Sequence, residues 1–310
     1  MKDIKSYPKI FTAGSQYIPD LFTGEVIVEE KVDGSQFKFG INEDRELVMA
    51  SKGAKIDPLN APKMFKRAVD YVTDITPTLL ALDKEIYFYG EYLDGPSHNM
   101  LKYDRVPKNH IVLFGVSYGD KMESSREVLK EYADKLDLEI VPLLFQGVIE
   151  NPTTVEEFMK TTSYLGGAVI EGVVVKNYGQ LVFVGNFPWP SFGKYVREDF
   201  KETLKEGWSK EHTSGGKLNT FILSHRTEAR WMKAIQHLKE KNEIEFEARD
   251  IGKLMKEIGD DIEAEEELNI KNFLYKLFIG DVRRASIKGF PEFYKKYLLD
   301  KAFENGTNVL

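Results

Sequence analysis

The sequence predicts a mixed fold, α/β or α+β, over residues 1–212, followed by an all-α segment over residues 213–310. Two observations carry this. In the first two thirds, short stretches rich in β-branched and aromatic residues are punctuated by Gly, Asp, Asn and Pro. In the last third, apolar residues recur at spacings of three and four. At 310 residues the chain is also longer than one core comfortably fills, which suits two domains.

The strands are expected at Val26–Val28, Phe37–Phe39, Glu46–Ala50, Ile86–Tyr89, Ile111–Val116 and Gly172–Val175. Pro62–Leu82 and Ser125–Leu136 have helical spacing. Asn151-Pro-Thr-Thr-Val-Glu-Glu-Phe reads as a helix start, with Thr residues in capping range and Glu156 and Glu157 in the first turn. The polar stretch Glu211-His-Thr-Ser-Gly-Gly is the expected boundary. Beyond it, Ala229, Met232, Ala234, Ile235 and Leu238 fall on one helix face, and further helices are expected at Ile251–Ile258, Leu268–Phe278 and Phe293–Phe303. The acidic run Asp260–Glu267 reads as a solvated helix face or turn.

Composition removes several function classes. There is no Cys, so disulfides, Cys-ligated zinc and thiol catalysis are excluded. No apolar run approaches the ~20 residues of a membrane span, and Met1–Pro8 lacks the apolar core of a secretory signal, so a cytoplasmic protein is expected. The five histidines show no zinc spacing. The net charge is -7, and all of it lies in residues 1–214, with 26 basic and 33 acidic side chains against 17 of each beyond. A chain of this charge would handle a polyanion only through a local cationic groove.

Four strings suggest chemistry. In Glu29-Glu30-Lys31-Val32-Asp33-Gly34-Ser35-Gln36, a lysine stands at the end of a β-like run, just before an Asp-Gly turn. Such an amine is a nucleophile when its pKa is lowered, and otherwise a surface lysine of a hairpin. In Phe88-Tyr89-Gly90-Glu91-Tyr92-Leu93, a carboxylate ends an aromatic strand, where it can accept hydrogen bonds from ribose hydroxyls. Glu171-Gly172-Val173-Val174-Val175-Lys176 brackets an apolar strand with a carboxylate and an amine. Alternation puts Glu171, Val173 and Val175 on one face and Gly172, Val174 and Lys176 on the other. Gly193-Lys194-Tyr195-Val196-Arg197 adds cations.

Taken together and in this order, the strings resemble the covalent nucleotidyltransferase superfamily of ATP-dependent DNA ligases, RNA ligases and messenger-RNA capping enzymes. Lys31-Val-Asp-Gly matches the nucleotidyl-lysine motif and Tyr89-Gly-Glu91 the third motif. Leu113-Phe114-Gly-Val matches the strand carrying an adenine-stacking aromatic, Glu171 to Lys176 the fourth motif, and Lys194 the start of the fifth. The helical tail, and Leu101-Lys-Tyr-Asp-Arg-Val-Pro, are similar to the phage RNA ligase 2-like family. This chain departs from the pattern at Gly115, where an Asp commonly follows the aromatic, and at Val196, where a second lysine is usual. It also offers Lys52 where an Arg is common.

The resemblance implies an α+β nucleotidyltransferase (ligase adenylation) domain with antiparallel sheets and flanking helices at 1–212, and a small all-α C-terminal domain at 213–310. It implies an ATP-dependent RNA ligase using Mg2+, with Mn2+ as a substitute. Catalytic roles fall to Lys31, Asp33, Glu171, Lys176 and Lys194. Nucleotide contacts fall to Glu30, Lys31, Gln36, Lys52, Glu91, Phe114, Lys176 and Lys194, and the metal to Glu171. In this scheme Lys31 forms a lysyl-AMP, AMP passes to an RNA 5′-phosphate, and a 3′-OH displaces it. Lys176, Lys194 and the metal are expected to push the proton off Lys31. Expected partners are RNA ends, in nicked duplex RNA or an RNA–DNA hybrid, handled by a monomer acting in RNA repair. Arg226, Arg230 and Lys233, and Arg283, Arg284 and Lys288, are tail clusters that could touch RNA, although solvated helix faces are the commoner meaning of such runs. The competing readings are a DNA ligase or capping enzyme with the same lysine chemistry, a non-catalytic nucleic-acid end-binding protein, and a Schiff-base lysine enzyme.

Overall fold

The computed structural model describes residue 4 and residues 6–82, 85–184, 187–201 and 214–304. It is an α+β fold built on two largely antiparallel sheets. The elements are β1 (Ile10–Thr12), β2 (Glu25–Lys31), β3 (Ser35–Ile41), β4 (Leu47–Ser51), α1 (Lys66–Asp74), α2 (Thr76–Leu80), β5 (Ile86–Tyr92) and β6 (Ile111–Tyr118). There follow β7 (Lys121–Met122), α3 (Arg126–Lys135), β8 (Glu139–Ile140), β9 (Leu143–Val148), α4 (Val155–Phe158), β10 (Gly172–Val184) and β11 (Phe187–Val196). The last four are α5 (Ser214–Ser224), α6 (Glu228–Glu240), α7 (Ile251–Ile287) and α8 (Phe290–Glu304). One sheet runs β1-β11-β10-β2-β9, the other β4-β3-β5-β6-β7 with β8 on β6.

Alternation decides which side of each strand is buried. Phe37, Phe39 and Ile41 of β3 face one way and join Met49, Phe88 and Leu113 under α1, α2 and α3, where Phe65, Val69, Val72, Leu79, Leu129 and Ala133 complete a core. Phe37 stacks on Phe65 at 5.7 Å between ring centroids. Behind the other sheet, Val26 and Val28 of β2 and Val173 and Val175 of β10 form a second core with Phe11, Ile149 and Val155. Tyr7, Val48, Tyr87, Tyr89 and Phe192 close a third cluster, with residues from both sheets, which places the two sheets face to face. Ser125 caps α3 by accepting from Val128 N–H at 3.2 Å, as its position before the apolar run predicts.

Some elements escaped the sequence. β11 carries Pro188 and Pro190, which ordinarily argue against a strand. Both lie in the part of β11 that pairs only with β10, while β1 pairs only with Phe192, Gly193 and Lys194, so the missing N–H groups break no second ladder. The helices expected at Ile251–Ile258 and Leu268–Phe278 are one continuous α7. The acidic run between them has no proline and is rich in good helix formers, and pairs such as Lys271–Glu267 at 2.6 Å lie four apart on its surface. The expected boundary at Glu211–Thr213 lies outside the described residues.

Packing divides the chain into two compact units. One comprises Met1–Leu204 and Arg226–Ile251, the other Lys205–His225 and Gly252–Leu310. Helix α6 therefore packs with the sheets rather than with the rest of the helical tail, which a cut at 212/213 does not anticipate. Within the second unit Phe221 of α5 stacks on Phe273 of α7 at 3.9 Å. No described helix is long and apolar enough to cross a membrane.

Candidate active site

Register assembles the site. Lys31 pairs with Gly172, which pairs with Val196; Glu29 pairs with Val174, and that with Lys194; Ile27 pairs with Lys176, and that with Phe192. Directly paired residues share a face, so Lys31, Glu29, Lys176 and Lys194 all look toward the other sheet. There Gln36 pairs with Glu91, and Lys38 with Tyr89. Gly172 is needed for this approach, because a Cβ would stand 2.1 Å from the Tyr195 carbonyl oxygen.

The Lys31 Nζ donates to Glu171 Oε2 at 2.6 Å. Burial alone would lower the Lys31 pKa, yet Glu171, Glu91 and Asp33 together hold it above its ordinary value. Burial pushes Glu91 up to about 8; Lys31 opposes this, while Glu171, Glu240 and Asp33 add to it. Burial raises Glu171 as well, against the pull of Lys31. Three acidic side chains, Glu171, Glu91 and Asp33, thus surround one amine. Among the protein's own groups, these acidic neighbours favour the protonated amine, while the expected cation Lys176 lies farther along the strand.

The turn after Lys31 is clasped by the 94–103 loop. Asp33 Oδ2 accepts from the backbone N–H groups of Met100 at 2.9 Å and Leu101 at 2.8 Å. The Asp33 N–H donates to the Tyr103 hydroxyl at 2.8 Å, and Asn99 Nδ2 donates to the Gly34 carbonyl at 2.8 Å. His98 Nδ1 accepts from the Asp94 N–H at 3.0 Å, so the ring proton sits on Nε2, which donates to Ser35 Oγ at 2.9 Å. Burial, helped by the Lys239 charge and opposed by Asp94, pushes the His98 ring down to about 4, which matches this neutral form. His98 is therefore part of the loop clasp.

Lys176 lies four strand residues along from the Lys31 row, roughly 13 Å at the rise of a strand. Its Nζ is 2.5 Å from Glu29 Oε2 and donates to the Phe114 carbonyl at 2.5 Å, with the rings of Tyr7, Phe114 and Phe192 each 5.8 Å away. Arg126 binds the other oxygen of Glu29 and donates to the Val141 carbonyl at 2.7 Å. Burial pushes the Lys176 amine down to about 8, against the pull of Tyr178 and with the Arg126 charge adding to the fall.

The residues singled out in the sequence thus fall into groups. Lys31, Asp33, Glu91 and Glu171 are brought together. Gln36 stands beside Glu91 on its neighbouring strand, and Lys194 lies one row from Lys31 and acts on Glu171 through its charge. Phe114 of β6 and Lys176 of β10 meet across the two sheets, away from the Lys31 row. Lys52 is exposed in the turn after β4. Glu30 is turned to the opposite side of β2, where it accepts from Ser163 Oγ at 2.5 Å and the Tyr164 N–H at 3.2 Å. Arg230 is 1% exposed, which removes it from a solvent-facing RNA contact set. Sequence reasoning passed over Glu29, Arg126, buried Lys38 and Gln236. Period-two alternation from Lys31 reaches Glu29, and the alternation in Phe37-Lys38-Phe39 reaches Lys38; Arg126 and Gln236 carry no local signal.

Among the described residues no group of three or more His, Asp or Glu is arranged to ligate a metal directly. Mg2+ commonly takes one or two carboxylates, with waters and substrate phosphates completing its shell, and the carboxylate excess around Lys31 offers that kind of donor. The site therefore fits a hydrated divalent cation.

A family model for RNA ligase matches residues 24–196, which span β2 through β11 and include Glu29, Lys31, Asp33, Glu91, Phe114, Arg126, Glu171 and Lys176. The chain belongs to the RNA ligase family. The chain is similar in structure to a putative ATP-dependent DNA ligase from Aquifex aeolicus, with 16% identity over 83% of this chain and 64% of that one, at a TM-score of 0.43. It is similar to a Naegleria gruberi RNA ligase variant solved with ATP and Mn, with 16% identity over 61% and 56% of the two chains and a TM-score of 0.47. An archaeal ATP-dependent RNA ligase shares 18% identity over 86% and 66%, at a TM-score of 0.45. The chain thus spans 56–66% of the length of these three structures. No curated protein matches it.

Proposed function

We propose that this chain is an ATP-dependent RNA ligase that seals 3′-OH and 5′-phosphate ends through a lysyl-AMP and an RNA-adenylate. The observation that carries this reading is the pairing of β2 with β10. It sets Lys31 Nζ 2.6 Å from Glu171, a residue 140 positions away, with Glu91 and Asp33 in electrostatic reach, inside the family-matched segment.

In the first step the Lys31 nitrogen attacks the α-phosphorus of ATP, the N–P bond forms and the bond to pyrophosphate breaks. The ammonium must first give up a proton, and Glu171, already bonded to it and with its pKa raised by burial, is placed to take it. Glu91 accepts from ribose hydroxyls, Phe114 stacks on adenine, and Lys194 neutralises phosphoryl oxygens. Asp33 holds the turn that aims Lys31. Glu171 is also the carboxylate to hold Mg2+ through water; the ion, when bound, supplies further neutralisation of phosphate charge. AMP then passes to the 5′-phosphate, and a 3′-OH displaces it.

The helical character of every described element after Ser214 supports the phage RNA ligase 2-like branch, and with it nicked duplex RNA or an RNA–DNA hybrid as substrate, a monomeric enzyme and a cytoplasmic repair role. The test is incubation with Mg2+ and ATP labelled on the α-phosphate, with GTP and NAD in parallel. Label from ATP at Lys31, absent in Lys31→Ala, is the expected result. A folded protein that takes no label and carries no AMP by mass spectrometry would overturn the reading.

A further inference from the structure

Lys31 is the last residue of β2, and Val32, Asp33 and Gly34 turn the chain into β3. The position of its amine therefore follows the position of that turn. The 94–103 loop holds one side of the turn. Helix α6, 202 residues away in sequence but in the same compact unit, holds the other. Gln236 Nε2 donates to the Gly34 carbonyl at 2.9 Å and approaches Ser35 Oγ at 3.2 Å. One helical turn on, the buried Glu240 accepts from the same nitrogen at 2.9 Å. A carboxylate can only accept, so Glu240 fixes which way the carboxamide faces: its NH2 toward the turn, its oxygen away. The Gly34 carbonyl then has two donors, Asn99 and Gln236, one from each side.

We propose that Gln236 is a positioning residue for the nucleophile turn, oriented by Glu240, so that α6 is a working part of the adenylation site. This rests on Lys31 being the adenylated lysine. Nothing in the roles already assigned needs a helix from beyond residue 225. The bonds from Gln236 act on the backbone three residues after the nucleophile, where a shift approaching 1 Å can cost about a hundredfold in rate. A brace of this kind acts on the rate of a bound complex rather than on nucleotide affinity, because Gln236 is placed on the turn and not among the groups assigned to the nucleotide.

The test is Gln236→Met, which keeps the shape of the side chain and removes its donors. At saturating ATP the single-turnover rate of Lys31 adenylation should fall about tenfold, with the ATP concentration at half-maximal rate within about twofold of wild type. Amide hydrogen exchange should quicken in residues 32–36 and stay unchanged in 86–92. A saturated rate equal to wild type, a loss carried wholly by apparent ATP affinity, or unchanged exchange at 32–36 would each overturn the proposal. If wild type neither takes label nor carries AMP, the reading of Lys31 has failed instead; the exchange result still decides whether α6 holds the turn.

Discussion

Gly34→Ala tests how tightly the turn after Lys31 is built. Gly34 is not in the left-handed region of the backbone; the absent Cβ is what matters. A Cβ there would lie 2.7 Å from Glu91 Cγ, 2.7 Å from the Tyr92 carbonyl oxygen and 2.9 Å from Leu93 Cδ1. That is about 0.7 Å short of ordinary contact, and one of the obstacles is backbone within the β5 ladder. Overpacking of this kind costs about 1–3 kcal/mol, and at about 2–4 °C per kcal/mol for a unit this size the melting temperature should drop by roughly 2–12 °C. The turn must move to make room, so adenylation at saturating ATP should fall as well, by up to about a hundredfold for a displacement near 1 Å. Gly53→Ala is the control. Nothing lies within 4 Å of its added Cβ, so it should be neutral or stabilise by about 0.4–1 kcal/mol. Thermal unfolding and single-turnover labelling of both variants decide the matter. A Gly34→Ala protein that melts within about 1 °C of wild type and labels at the wild-type rate would refute the steric argument.

Two further outcomes follow from the charges. The folded value of Glu91, about 8, lies above its unfolded value, so between the two the folded chain binds more protons at this site and stability falls as pH rises from about 4.5 to 8. Glu91→Gln should flatten that fall, with the urea midpoint of wild type dropping relative to the variant between pH 5 and pH 8; a constant difference would remove the assignment. Glu29 holds Arg126 and Lys176 in a buried triad, so Glu29→Gln should destabilise by about 3–5 kcal/mol in urea, and a loss below about 1 kcal/mol would mean that water or other groups already balance those cations.

What could be seen in advance was local. Runs such as Val26-Ile27-Val28 and Ile86-Tyr-Phe-Tyr announce strands, and Ser125 announces a helix start, because each signal is contained in a few residues. The motif strings located Lys31, Asp33, Glu91 and Glu171, which the fold brings together. What stayed hidden was set by pairing over long separations. Register between β2 and β10 separates Lys176 from Lys31, although the sequence motifs grouped them together. The two sides of β2 give Glu30 to the 163–164 turn and Glu29 to Arg126, a division visible only once the buried face is known. The continuity of α7 was hidden for another reason: an acidic stretch without a break residue reads equally as turn or as solvated helix, and i,i+4 pairing settles it.

The cross-strand pair of Lys31 and Gly172 also has a consequence for biosynthesis. Glu171 follows Lys31 by 140 positions, and the β3–β6 hairpins lie between them. At about 5–20 residues per second, a ribosome delivers the carboxylate about 7–28 s after the lysine. During that interval the six-stranded sheet has most of the sequence it needs to fold, while β2 still waits for its neighbour β10. The nascent chain thus carries Lys31 as an ordinary amine on a strand that can pair with β9 but whose other edge stays open until β10 follows. Long-range closure of this kind is slow, which places the appearance of a competent centre at the end of folding and ties it to completion of the second sheet.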